Sequence, residues 1–203
     1  MGKLYFRYGA MNSGKSTSLM QVAHNYEERG MKVIIIKPGN DKKGGDTLVS
    51  RLGVVRQVDF MINPSDNIYD CVNKCLKGGR KIDCILADEA QFLKKHHIDE
   101  LFKIAVLLDI PVICYGLRTD FMMNGFEGSE RLLLLAHSLE EMKTICTCGR
   151  KAILNGRKIN GKYVFHGEQV AIDQVDNVDY QSLCGQCYYR LKSQYDEEES
   201  LKK

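Results

Sequence analysis

The stretch GAMNSGKS (9–16) fits G-x-x-x-x-G-K-[ST] in full and lies between a strand pattern and a helix pattern. Its chemistry is that of a phosphate cradle. Glycines let the backbone wrap so that successive N–H groups converge on an anion at a helix N-terminus. On this reading Gly9, Ala10, Met11, Asn12, Ser13 and Gly14 surround the phosphates, Lys15 reaches the β- and γ-phosphates, and Ser16 ligates Mg²⁺. The run CILADE (84–89) supplies the expected partner, a carboxylate at the C-terminal end of a buried strand. Asp88 suits a place beside the Mg²⁺, holding it through water. Glu89 is placed to take a proton from whatever attacks the γ-phosphate, or else to sit as a dipole partner at the start of the next helix.

The nature of the attacker stays open at this level. If it is water the chain is an ATPase, and the DEAQ run (88–91) is similar to that of helicase-type motors. A two-lobed motor does not fit 203 residues with one phosphate loop and no basic stripe, which leaves a zinc-bearing ATPase that binds nucleic acid as the open alternative. If the attacker is a small alcohol, a second pocket must lie beside Glu89, lined by aromatics and closed against water. Phe92, Leu117, Phe121, Phe126 and Tyr180 could build that pocket or could pack in the core, and periodicity does not choose between these roles.

The eight cysteines fall into two groups. Cys71, Cys75, Cys84 and Cys114 lie in apolar segments and read as free thiols packed inside. Cys146, Cys148, Cys184 and Cys187 form two tight pairs, which in a reducing compartment read as metal ligands before disulfides.

These residues need elements to position them. LYFRYG (4–9), KVIIIKP (32–38), CILADE (84–89) and PVICYG (111–116) read as buried strands. Between them a helix places Leu19, Val22, Ala23 and Tyr26 on one face and stops at Gly30. A second follows Asn63–Pro64–Ser65 and runs to about Gly78, and a third carries Ile98, Leu101, Ile104, Ala105 and Leu108. Strand–helix alternation of this kind implies a parallel sheet covered by helices on both faces. DKKGGDTLVSRLG (41–53) reads as a mobile glycine-rich loop. From about residue 144 the short pieces KYVF and QVAI, lying between the cysteine pairs, suggest a small β-rich subdomain. The organisation expected is an α/β domain over 1–143, the β-rich subdomain over 144–191, and a flexible tail over 192–203, where YDEEESLKK is a solvated charge run.

The totals agree with this. A chain of 203 residues, 44% hydrophobic and 27% charged, supports one good core plus a small appendage. A net charge of +3 permits anionic ligands such as nucleotides but does not argue for a nucleic-acid partner. No apolar run approaches the roughly 18 residues of a membrane span. MGKLYF carries neither a signal-peptide core nor a myristoylation site, so a cytoplasmic location is expected.

Taken together, GAMNSGKST, DEAQF, YGLRTDF and the paired cysteines, with Tyr180 four residues before Cys184, resemble the cytosolic, zinc-containing (type II) thymidine kinase family over roughly residues 3–190. The resemblance implies a RecA-like P-loop fold with a zinc-containing lasso, and transfer of a phosphoryl group from ATP to the 5′-hydroxyl of thymidine. It implies Glu89 as general base, Ser16 and Asp88 around Mg²⁺, and Lys15 and Gln91 among the ATP contacts. Met11, Glu89, Phe92, Leu117, Phe121, Phe126 and Tyr180 match thymidine-binding positions, and Asn155 falls near the base's 5-methyl group. It further implies a homotetramer inhibited by dTTP. Two departures stand out. The first cysteine pair is Cys146-x-Cys148 where the family has C-x-x-C, so the zinc site is either four-cysteine by another backbone path, defective, or completed by a substitute ligand. Asp41 matches a family aspartate near the metal, but Lys43 stands in place of an arginine.

Overall fold

The computed structural model describes residues 1–39, 47–49, 53, 55–170 and 177–201. Most of the glycine-rich stretch 41–53 lies outside these residues, Asp41 and Lys43 included. The chain forms two compact units: Met1–Tyr8, Gly14–Leu117 and Phe126–Glu141 make the first; Gly9–Ser13, Arg118–Gly125 and Met142–Lys203 make the second.

The first unit is built on a six-stranded parallel sheet. Its strands are β1 (Leu4–Tyr8), β2 (Val33–Pro38), β5 (Phe60–Ile62), β6 (Cys84–Ala87), β7 (Val112–Gly116) and β8 (Ser138–Glu141), in the order β5-β2-β6-β7-β1-β8. A separate antiparallel pair, β3 (Thr47–Val49) and β4 (Val55–Gln57), is also present. The four central strands are the four apolar runs. β5 and β8 escaped the sequence reading because neither is a long apolar run: β5 has three residues, and β8, at the sheet's edge, is mostly exposed.

Alternation along the strands divides the core. Phe6, Ile34, Ile36, Ile85, Val112 and Cys114 pack with Ile68 and Val72 of α2 (Ile68–Lys77), with Ile98, Leu101 and Ile104 of α3 (Lys95–Leu107), and with Leu132 of α4 (Glu127–Leu135). The intervening residues face α1 (Lys15–Glu27), whose Ser18 and Tyr26 hydrogen-bond Tyr115 and Cys84. Helices thus cover both faces. Each fully buried Ile or Leu contributes about 1.5–3 kcal/mol, so this layered arrangement supplies most of the unit's stability. α2 begins where expected, with the Asn67 side chain accepting from the Asp70 N–H at 2.8 Å. α4 was not foreseen; its LLLL run reads from sequence only as too short to span a membrane.

In the second unit β9 (Thr144–Ile145) and β10 (Lys151–Ala152) form a short hairpin. β11 (Leu154–Ile159) pairs antiparallel with both β12 (Lys162–Val164) and β13 (Val178–Leu183). KYV is a strand as expected. QVAI is not described as one: Gln169 and Val170 lie in bends, and residues 171 and 172 fall outside the described set. α5 (Gly185–Ser200) then continues through most of the stretch read as a tail. Among the described residues no helix is long and apolar enough to cross a membrane.

Candidate active site and metal centre

The phosphate-loop sequence is shared between the units, Gly9–Ser13 belonging to the second and Gly14–Ser16 to the first. Asn12 (φ 64) and Gly14 (φ 78) both adopt left-handed backbone, the type of local geometry that turns successive N–H groups toward an anion. Gly14 is also the N-cap of α1, where it has no side chain to satisfy the first free N–H groups. Lys15 and Ser16 form the first turn, which has no acidic residue.

Within the first unit the chemistry gathers at the C-terminal ends of β2 and β6. Asp88 follows β6, is 5% exposed, and donates its N–H to the Ile36 carbonyl at 3.0 Å. Burial, and then the neighbouring Glu89, push its carboxyl well above the ordinary range, while Lys37 and Lys15 act in the opposite sense. A group in that state suits a cation, whose charge would offset both causes. Ser16 and Asp88 carry oxygen donors of the kind Mg²⁺ takes. Lys37, buried at the end of β2, was missed from sequence because it reads as the boundary of an apolar run.

Glu89 adopts φ 46 and ψ 38, a left-handed conformation that a residue with a side chain holds only when its surroundings enforce it. Gln91 supplies one restraint. Its Nε2 donates to the Glu89 carboxylate at 2.5 Å, and its Oε1 accepts from the Leu117 N–H at 3.0 Å. Both ends of this buried amide are therefore engaged inside the unit. Gly116 makes the packing possible, since a Cβ there would lie 2.8 Å from the Gln91 Oε1. Nearby, Phe92 and Phe126 meet edge-on with ring centroids 5.5 Å apart, and the Leu117 carbonyl accepts from the Ser129 hydroxyl. The expected neighbourhood of Glu89, Gln91, Phe92, Leu117 and Phe126 thus belongs to a single unit.

In the second unit Met11 is held by hydrogen bonds, and Phe121 and Tyr180 are joined through Arg157. Asn155 is the strut for the phosphate-loop stretch: its Oδ1 accepts from the Met11 N–H at 2.7 Å and its Nδ2 donates to the Thr119 carbonyl at 3.0 Å. The Ser182 hydroxyl donates to the Met11 carbonyl. The Thr119 hydroxyl is buried with no hydrogen-bond partner among the described residues. Phe121 lies under the guanidinium of Arg157, whose Nε donates to the Tyr180 hydroxyl at 3.0 Å. Arg157 and Ser182 were missed by sequence reading. β11 is buried on both faces over Leu154–Arg157, so polar residues at 155 and 157 carry no alternation signal.

The four clustered cysteines meet in the same unit. Their Sγ atoms all lie within 4.8 Å of one another, and Cys148 Sγ and Cys184 Sγ are 3.6 Å apart. That separation is far beyond a disulfide and close to the roughly 3.8 Å edge of a thiolate tetrahedron around zinc with Zn–S of about 2.3 Å. The one-residue spacer is accommodated by a tight turn in which the Gly149 N–H donates to the Cys146 carbonyl at 2.8 Å, with Gly149 at φ 84. Burial acts to raise the Cys146 thiol, but the N–H groups of Cys148 and Cys184 outweigh it and hold the pKa below the ordinary value. Cys184 is likewise lowered, chiefly by the Cys187 N–H donating to its sulfur at 3.4 Å. Cys187 is instead pushed up to about 12, chiefly by hydrogen bonding with the Cys148 and Cys184 sulfurs, so it is the spacing of the four sulfurs and the lowered Cys146 and Cys184 that fit a metal taking thiolates. Of the other cysteines, Cys84 and Cys114 are buried free thiols as expected, whereas Cys71 and Cys75 are only partly buried.

Comparison with known proteins adds to this geometry. The thymidine kinase family model matches residues 2–188. A thymidine kinase of Lactobacillus acidophilus is 43% identical over 196 residues, covering 93% of this chain and 97% of the relative. A thymidine kinase of Lactiplantibacillus plantarum is 46% identical over 191 residues (93% and 96%), and one of Legionella pneumophila is 45% identical over 192 residues (94% and 90%).

Proposed function

The chain belongs to the thymidine kinase family, and from that premise we propose that it transfers the γ-phosphoryl group of Mg-ATP to the 5′-hydroxyl of thymidine, giving dTMP and ADP. Glu89 is the general base. It takes the 5′-hydroxyl proton as the O5′–P bond forms and the bond to the ADP oxygen breaks, then returns that proton to solvent. Lys15 and the N–H groups of Gly9–Gly14 hold the phosphates. Ser16 and Asp88 hold Mg²⁺, which supplies charge neutralisation at the phosphates when bound. Gln91 orients Glu89 and fixes the Leu117 N–H. Met11, Phe92, Leu117, Phe121, Phe126 and Tyr180 form the thymidine site. Cys146, Cys148, Cys184 and Cys187 hold a structural zinc ion. The wider reading is of a cytoplasmic homotetramer inhibited by dTTP, acting on free nucleosides rather than nucleic acid.

The observation that carries the reading is Glu89 itself: a left-handed carboxylate at the end of a central strand, next to Asp88 and hydrogen-bonded by Gln91. The test is to supply ATP labelled in its γ-phosphoryl group together with thymidine and separate the products. Label recovered on thymidine as dTMP supports the proposal; label recovered only as inorganic phosphate overturns it.

A further inference from the structure

Arg157 sits on β11 directly opposite Tyr180 on β13 and is 3% exposed. A buried guanidinium is costly unless its donors are matched, and here they are matched with neutral oxygens. Nε donates to the Tyr180 hydroxyl at 3.0 Å, Nη1 to the Glu168 carbonyl at 2.7 Å and Nη2 to the Gln169 carbonyl at 2.8 Å. The centre of the guanidinium lies 3.7 Å from the Phe121 ring centroid, a close cation–π contact. One side chain thereby joins the turn carrying Phe121, the strand carrying Tyr180 and the main chain at 168–169. Gln169 adds a second tether, its Nε2 donating to Asp120 Oδ2 and to the Gly125 carbonyl at 3.1 Å each. Asp120 in turn accepts from the N–H groups of Met122 and Asn124 at 2.8 Å, which stiffens the turn on either side of Phe121.

We infer that Arg157 is the positioning residue of the nucleoside site. It fixes the spacing and tilt of the Phe121 and Tyr180 side chains and holds the 168–169 main chain beside them, so that thymidine meets preformed walls. The inference rests on the thymidine kinase reading above, through its placement of Phe121 and Tyr180 at the nucleoside. Arg157 acts through these groups and not by touching the reacting atoms. The planar fork matters more than the charge, because three donors leave it in fixed directions and a ring lies on its face. Lysine keeps the charge but cannot reproduce that geometry. Preorganisation of this kind lowers the ordering cost of binding, so its loss falls on the ligand whose walls it sets.

The test is steady-state kinetics on the full chain for wild type, Arg157→Lys and Gln169→Ala, varying thymidine and ATP separately, with metal content and the unfolding midpoint recorded for each. For Arg157→Lys the KM for thymidine should rise about tenfold or more, as loss of charge-assisted hydrogen bonds implies, while the KM for ATP stays within about twofold. Gln169→Ala, which removes only the second tether, should raise the thymidine KM by a few-fold, again with little effect on ATP. Should Arg157→Lys fail to fold, Gln169→Ala carries the test alone. An unchanged thymidine KM in a folded variant overturns the inference, and so does an equal rise in both KM values accompanied by loss of metal, which would mark a merely structural arginine. Either result leaves the kinase reading intact as long as wild type makes dTMP. Absence of dTMP from wild type would instead remove the reading on which the inference rests.

Discussion

The two units reach order by different means. In the first, alternating apolar residues of a parallel sheet are buried under helices, and the core is a continuous set of Ile, Leu, Val and Ala. Its buried polar residues, among those described, are Lys37, Asp88, Gln91, His97 and Ser129. In the second, the apolar cluster is small and includes three of the clustered cysteines, Cys146, Cys184 and Cys187. Its remaining order comes from buried polar side chains, Asn155, Arg157 and Ser182, each hydrogen-bonded to main chain or to another side chain. The contrast is one of means: apolar layers hold the first unit, and buried hydrogen-bonded side chains with a thiol cluster hold the second.

The contrast can be broken most severely at the cysteines. Elemental analysis should find about one zinc per chain, and Cys184→Ser should lose it, because that sulfur belongs to the thiol cluster and also caps α5. Structural zinc sites contribute on the order of 10 kcal/mol, so thymidine phosphorylation should vanish with the metal. Fully active wild type containing no metal would reduce the cysteines to packing. Next in size is Glu89→Gln, which preserves shape and removes the base. Turnover should fall by about two orders of magnitude or more while ATP affinity, read by equilibrium binding, stays near wild type. Unchanged turnover would take the role from Glu89.

A matched pair of variants compares the units directly. Gln91→Ala in the first and Asn155→Ala in the second each strip one buried amide that serves two partners. Each should cost about 1–3 kcal/mol in chemical denaturation, the usual penalty for leaving buried groups unsatisfied. A negligible loss at Asn155 would mean that the Met11 stretch is not held by β11.

The smallest effect lies at the surface. The Arg56 guanidinium, hydrogen-bonded to Glu27, holds that carboxyl below its ordinary value. A lowered folded-state pKa stabilises above the unfolded value of about 4.3 and loses that contribution as pH falls through the folded value. Glu27→Gln should therefore differ from wild type by no more than about 0.5 kcal/mol at neutral pH, since the pair is partly open to solvent, and by nothing in acid. A gap that widened toward acid pH would reverse this sign.

The same contrast explains what could be read from the sequence. Strands such as VIIIKP and CILA announce themselves because both faces are buried, and the phosphate loop does so because its glycines and Lys15 have fixed spacing. The edge strand β8 does not, since its residues face solvent. In the second unit the cysteine pairs and the strand KYV were legible from the residues themselves, whereas Met11, Phe121, Asn155 and Tyr180 were legible only through the family resemblance. Cys146 and Cys148 meet the others through a turn that no spacing rule encodes. Arg157, and the hydrogen-bonding role of Asn155, were not legible, because both lie on a strand buried on both sides, where a polar residue looks like any surface position until its partners, distant in sequence, are known. Gln91 was legible as a site residue through DEAQF, but its grip on Glu89 and Leu117 depends on β7 running beside β6, a matter of topology.

The most direct measurement is ADP release from Mg-ATP with and without thymidine in one preparation, with nucleotide products separated. ADP and dTMP appearing one-for-one, and only when thymidine is present, is the expected result, with the nucleoside alcohol as acceptor and water shut out. ADP released at the same rate without thymidine would make water the acceptor and contradict the assignment.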